Sequence, residues 1–217
     1  MKIKLIQRFS NTGEQGCLPS QSFMHPLDQP EKWHSRRLPH YEGGEVFQFI
    51  TFRLFDSVPQ EKIKKWKDDL ADSEKTEAQI ELGRHIEKYT DMGFGSCFLK
   101  NEKIAQIVQD ALLFWDNKKY KLLAWVIMPN HVHLLLLPKE GFKVSEILHS
   151  IKSFTANQAN KILQRKGEFW QHESFDRFIR NYEHFERTVS YIENNPVKAN
   201  LCEKSSDWKF SSAYTGG

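Results

Sequence analysis

The sequence predicts an α+β fold in which helices pack on one side of an antiparallel sheet. Three observations carry this reading. Residues 46–54, 122–128 and 131–137 are rich in β-branched, aromatic and leucine side chains, as strands are. Residues 101–117, 145–165 and 183–194 repeat apolar residues at helical spacing. The two kinds of segment alternate along 217 residues with no internal repeat or low-complexity tract, which suits one elaborated domain.

Taken in order, residues 1–44 hold Pro19, Pro26, Pro30 and Pro39 with scattered Gly and Ser and no apolar period, so they read as an irregular arm before a domain at 45–217. Arg36 and Arg37 near its end are either a solvated pair or a phosphate contact. Val46–Leu54 reads as the first strand. From Gln60 to Lys88, charged residues mix with Ile63, Trp66, Leu70, Ile80 and Ile86, which predicts one or two helices with a broad solvated face. Gly93-Phe94-Gly95 ends them, and Asn101 to about Asn117 is a clearer amphipathic helix. Leu122–Met128 and His131–Leu137, separated by Pro129-Asn130, read as two strands joined by a tight turn. A helix over Ser145 to about Arg165 closes at Gly167. Phe169–Ile179 is the fourth strand, and a helix from Glu183 must stop near Pro196. The order strand, helices, hairpin, helix, strand, helix gives a ferredoxin-like sandwich.

Composition narrows the functional classes. Cys17, Cys97 and Cys202 are few and far apart, which argues against a disulfide scaffold or a cysteine-built zinc site and fits a reducing cytoplasm. No apolar run resembles a signal peptide or a membrane span. A net charge of +3 and a pI near 8.6 permit nucleic-acid binding without demanding it. Aromatic residues make up 13% of the chain, enough to supply a core and leave rings for stacking on bases.

Two groups of residues could carry chemistry. His131 and His133 are two apart on a strand, so both imidazoles point to one face, where they either share a cation or stand as two partly exposed histidines. On the last helix Tyr191 and Asn195 are four apart and share a flank with Thr188 and His184, beside the apolar stripe of Phe185, Val189 and Ile192. A phenol and an amide there are either functional or ordinary amphipathic residues. Of the other tyrosines weighed, Tyr182, Tyr120 and Tyr214 lack an Asn or Gln four residues on.

Ala124-Trp125-Val126-Ile127-Met128-Pro129-Asn130-His131-Val132-His133, together with Tyr191-Ile192-Glu193-Asn194-Asn195-Pro196-Val197-Lys198-Ala199 and Asp207-Trp208-Lys209-Phe210-Ser211-Ser212, closely resembles the REP-associated tyrosine transposases. These are single-tyrosine transposases of the HUH endonuclease superfamily. The resemblance runs from about Arg36 to Ala213; the first thirty or so residues and an insertion at about 59–95 lie outside the minimal pattern.

The resemblance implies that His131 and His133 bind a divalent metal, Mg²⁺ or Mn²⁺, with Asn195 as the third ligand, and that Tyr191 is the nucleophile. A phenol with a pKa near 10 needs a strengthened electrophile, which a cation on the scissile phosphate provides. Attack gives a 5′-phosphotyrosine link and a free 3′-hydroxyl, and its reversal rejoins DNA. His184 adds a proton-handling candidate beyond the family pattern. The implied partner is single-stranded hairpin DNA of the repetitive extragenic palindrome type. Its phosphates could meet Arg36, Arg37, Lys152 and Lys161 and its bases Trp208, although both lysines could equally be a solvated face and Trp208 core. Two rival readings stand beside it: a hairpin-binding protein that keeps the fold but no longer cuts, and a metal-dependent phosphoesterase that uses the His pair to activate water and needs no tyrosine. The short Arg180–Glu183 connection favours a monomer over a dimer that exchanges the tyrosine helix.

Overall fold

The computed structural model describes residues 33–35, 39–41 and 46–216. A short antiparallel pair, β1 (Trp33–Ser35) and β2 (Pro39–Tyr41), precedes the main sheet. That sheet contains β3 (Gln48–Arg53), β4 (Tyr120–Ile127), β5 (His131–Pro138) and β6 (Phe175–Phe178), in the spatial order β4-β5-β3-β6 with every neighbour antiparallel. The helices are α1 (Gln60–Asp69), α2 (Lys75–Asp91), α3 (Glu102–Trp115), α4 (Val144–Ile162) and α5 (Tyr182–Lys198). The α+β class read from the sequence is the class observed.

The central strands are apolar on both faces, which demands cover on both. Ile50 and Phe52 of β3 and Val132, Leu134 and Leu136 of β5 point to one side, where Ile104, Val108 and Leu112 of α3 and Ile147, Ile151 and Ala159 of α4 complete the larger core. Phe49 of β3, Leu135 of β5 and Val126 of β4 point to the other, under Phe185, Val189 and Ile192 of α5. One-sided packing therefore holds for α3 and α4, while α5 covers the opposite face. Because α5 has a single apolar stripe, it lies across that face and leaves one end of it for other groups.

Several ends differ from the sequence reading for local reasons. The helix α4 stops at Ile162, three residues early, because Gln164 takes the left-handed conformation (φ +50°) and the Arg165 amide closes back on the Asn160 carbonyl at 3.0 Å. The fourth strand is broken: Trp170 bridges Leu54, then pairing resumes only at Phe175. Between them the Lys152 ammonium donates to the carbonyls of Gln171 (2.7 Å) and His172 (2.8 Å), so those groups are not available to a ladder. The helix α5 begins with an Asn181 cap on the His184 amide and passes through Pro196, which sits so close to the end that fewer than one turn follows it.

The tail returns to the sheet. The Ile127 amide donates to the Phe210 carbonyl and the Ser212 amide to the Trp125 carbonyl, both at 2.8 Å, so residues 210–212 lie along the outer side of β4. Leu123 is an extra residue in β4 opposite β5, a bulge that turns both Leu123 and Ala124 toward the α5 face.

Candidate metal and tyrosine site

The strand period places His131 and His133 on the α5 face, and both are buried. Their Nε2 atoms face each other at 2.9 Å, with ring centroids 4.4 Å apart. Each ring is oriented through its other nitrogen. The Nδ1 of His133 meets the Thr51 hydroxyl at 2.7 Å across the β3–β5 pair. The Nδ1 of His131 meets Asn130 Oδ1 at 2.7 Å. The Asn130 amide nitrogen in turn donates to the carbonyls of Thr90 (3.1 Å) and Phe94 (2.9 Å), which fixes its oxygen as the acceptor. His131 must then carry its proton on Nδ1, and the Nε2 lone pair points into the site.

The third member comes from α2. Asp91, its last residue, places Oδ1 3.5 Å from both Nε2 atoms. That oxygen is buried with no hydrogen-bond partner among the described residues. The Asp91 Oδ2 accepts a hydrogen bond from the Tyr191 hydroxyl at 2.9 Å. Tyr191 thus stands beside the histidines within one chain, its ring 5.3 Å from that of His133. The chain after α2 is pinned so that Asp91 stays in place: Asp56 Oδ2 accepts from the amide (2.8 Å) and hydroxyl of Ser96. Gly95 between them has φ +94°, and a Cβ there would lie 2.8 Å from the Asp56 carbonyl oxygen, so only glycine fits.

Protonation follows from burial and these contacts. Burial drives the His131 imidazole well below its ordinary value, helped by His133 and opposed by Asp91, so it stays neutral with a free lone pair. Burial would raise the Asp91 carboxyl, but its contacts with His133, His131 and Tyr191 outweigh that and hold it low. The Tyr191 phenol is driven far up by burial, then by Glu87 and Asp91, with Arg177 in opposition, and is held protonated. Two imidazole nitrogens and one carboxylate oxygen, all within 4.8 Å of one another, fit a divalent cation, and the Asp91 oxygen that has no hydrogen-bond partner among the described residues is what such an ion would satisfy.

The remaining candidates fall elsewhere. Asn195 is buried on α5, one turn beyond Tyr191. Arg36 and Arg37 lie outside the described residues. The Lys152 ammonium is engaged within the chain, as described above, and also reaches Ser174 Oγ at 3.4 Å. Lys161 is exposed on α4. Trp208 packs against the second core and donates its indole N–H to the Ile127 carbonyl at 3.0 Å. The Nδ1 of His184 accepts from the Arg180 amide at 3.3 Å, on the same face of α5 as Tyr191 and about two turns before it. Sequence reasoning missed Asp91 and Asn130. A signal for Asp91 existed: a carboxylate closing a helix opposes the helix dipole, a local cost that points to another use.

Comparison with known proteins bears on the same segment. The family described as "Transposase IS200 like" matches residues 99–195, from just before α3 to Asn195. A REP-associated tyrosine transposase of Escherichia coli is 30% identical over 99 residues, covering 45% of this chain and 57% of that protein. A putative REP-associated tyrosine transposase of Haemophilus influenzae is 31% identical over 109 residues, covering 46% and 62%. The matches therefore span less than two thirds of either relative. A solved structure titled as a REP-associated tyrosine transposase bound to a REP hairpin superposes with a TM-score of 0.50 at 22% identity, covering 82% of this chain and 81% of that one, which establishes the shared fold.

Proposed function

For a chain whose residues 99–195 match the IS200-like transposase family and which is similar there to REP-associated tyrosine transposases, we propose cleavage and rejoining of single-stranded hairpin DNA through a 5′-phosphotyrosine intermediate. The observation that carries this reading is the meeting of Tyr191 with the His131–His133 pair through one carboxylate, Asp91. A divalent ion held by His131 and His133, with Asp91 or Asn195 as third ligand, supplies Lewis-acid polarisation of a phosphoryl oxygen.

The chain's own residues do the rest. Asn130 and Thr51 fix the two imidazoles so that both Nε2 atoms converge. Asp91 holds the Tyr191 oxygen by its proton, and its Oδ2 is the nearest acceptor when that proton leaves. The phenolic oxygen forms a bond to phosphorus, the P–O3′ bond breaks, and the departing strand leaves as a 3′-hydroxyl after taking up a proton. The phosphodiester energy stays in the tyrosyl link, so attack by a 3′-hydroxyl reverses the step. Tyr191 serves the histidines of its own chain, which suits a monomer working on DNA in the cytoplasm. Lys161, with Arg36 and Arg37, is a candidate for phosphate contact; Lys152 and Trp208 are structural.

The deciding experiment incubates labelled, tailed hairpin DNA from the host's own repeats with Mg²⁺ or Mn²⁺ and resolves products on a denaturing gel. A metal-dependent covalent adduct that is absent in Tyr191→Phe and His131→Ala is the expected result. Cleavage that persists in Tyr191→Phe makes water the nucleophile, and binding without an adduct makes the protein a hairpin binder.

A further inference from the structure

A cleft of about 390 Å³ opens beside Tyr191 and Asp91, between α2 and α5, with β6 at its end. Its two walls are built alike. Arg84, Lys88 and Asp91 recur on α2 at steps of four and three residues, and His184, Arg187 and Tyr191 recur on α5 at steps of three and four, so each helix presents one continuous face to the cleft. Arg177 of β6 joins them. The insertion wall is seated closely on the sheet edge: Gly83 faces Phe175 of β6, whose ring would lie 2.6 Å from a Cβ at that position.

Charge favours a polyanion here. Among the described residues, four cationic side chains line the cleft against two carboxylates, and both carboxylates are already engaged, Glu87 with Arg177 at 2.9 Å and Asp91 with the histidines and Tyr191. Among the described residues, Arg84 and Arg187 pair only with Glu81 and Glu183 on their own helices, in exposed contacts of 2.9 and 3.5 Å that are weak and easily exchanged for a phosphate. The local field is evident at His184, which burial and then Arg177, Arg180 and Arg187 hold below its ordinary value.

We infer that this cleft is the track of the single-stranded DNA that flanks the scissile phosphate, with Arg84 and Lys88 of the 59–95 insertion contacting its backbone. This rests on the transposase reading given above. It gives the insertion a role: α2 contributes one wall of the substrate channel, and its last residue reaches the reacting centre.

The test is read by binding in EDTA, so that it does not depend on cleavage. Fluorescence anisotropy is measured at several salt concentrations with two probes, a blunt hairpin and the same hairpin carrying single-stranded tails. Arg84→Ala/Lys88→Ala is expected to bind the blunt hairpin as the wild type does and the tailed hairpin about tenfold more weakly. Its salt slope on the tailed probe should fall by about 1.4, roughly 0.7 for each single-strand phosphate that the variant no longer neutralises. Arg84→Lys/Lys88→Arg should restore the wild-type values. Equal affinities and slopes for the double alanine variant and the wild type on the tailed probe would overturn the inference, as would an equal loss on both probes. A wild type that binds both probes yet forms no adduct with metal overturns the transposase reading and leaves the binding result standing.

Discussion

The hydroxyl of Tyr191 donates to Asp91 across 100 residues of sequence, at 2.9 Å. This contact joins α5 to the last residue of α2, which lies before the segment that matches the transposase family. The other oxygen of the same carboxylate faces both histidines, so one side chain touches every group at the centre.

Replacing Asp91 therefore separates two functions of one residue. Asp91→Asn keeps a hydrogen-bond acceptor for Tyr191 and removes the charge, and Mn²⁺ affinity by calorimetry should fall about 10–100-fold. If Mn²⁺ binds Asp91→Asn as tightly as the wild type, Asn195 and not Asp91 completes the donor set, and Asn195→Ala should then show the loss.

Asn130→Ala should weaken metal binding without touching a ligand. The substitution frees His131 to change tautomer and strips donors from the carbonyls of Thr90 and Phe94, which hold the end of α2. The Thr90 carbonyl keeps the Gly93 amide, so the cost is that of the hydrogen bonds lost, about 0.5–1.5 kcal/mol each. A lower urea midpoint together with an Mn²⁺ affinity reduced at least tenfold is the expected pair of results; a change in stability alone would make Asn130 only a structural residue.

Gly95→Ala should be more harmful than an exposed loop substitution ordinarily is. The methyl group meets the Asp56 carbonyl at 2.8 Å in a backbone conformation that alanine resists. A loss of about 1–3 kcal/mol in chemical denaturation is expected, whereas Gly141→Ala, with open space around its Cβ, should cost less.

Lys152 links stability to alkaline pH. Its pKa falls to about 8, because burial and then Arg53 disfavour the charge, while in the unfolded chain it stays near 10.5. Between those values the unfolded chain binds more protons than the folded one, so this residue's contribution makes stability rise with pH from about 8 to 10.5 and stay level below 8. The gain is at most about 3.5 kcal/mol, at about 1.4 kcal/mol per pH unit across that window. Urea melts across that window should show the rise in the wild type and its absence in Lys152→Met.

Much of this was legible because its signals are local. A spacing of two on a strand put His131 and His133 on one face, and the structure shows them facing each other. The alternative of two partly exposed histidines does not hold, because the apolar run that marks β5 also announces burial on both sides. A spacing of four kept Tyr191 and Asn195 on neighbouring turns of one helix. Asp91 was not legible in the same way: its helix reads as a solvated charge run, and its partners lie 40, 42 and 100 positions away, beyond any period. Asn130 read as a turn residue, which it is, while its side chain does a second task that turn propensity does not reveal. The helices were legible as amphipathic elements, but not the face each would take, because a strand apolar on both sides accepts a helix on either.

The returning tail has a consequence for the sheet as a whole. An outermost strand offers its main-chain groups to any extended peptide that approaches, including the same strand of another molecule. Here residues 210–212 already occupy those positions along Trp125–Ile127, with the Trp208 indole fastened to the same strand. The protein thus acts as its own edge guard: the end of β4 beside the histidine strand is protected from being templated into a growing aggregate, at the small cost of a few residues folded back upon it.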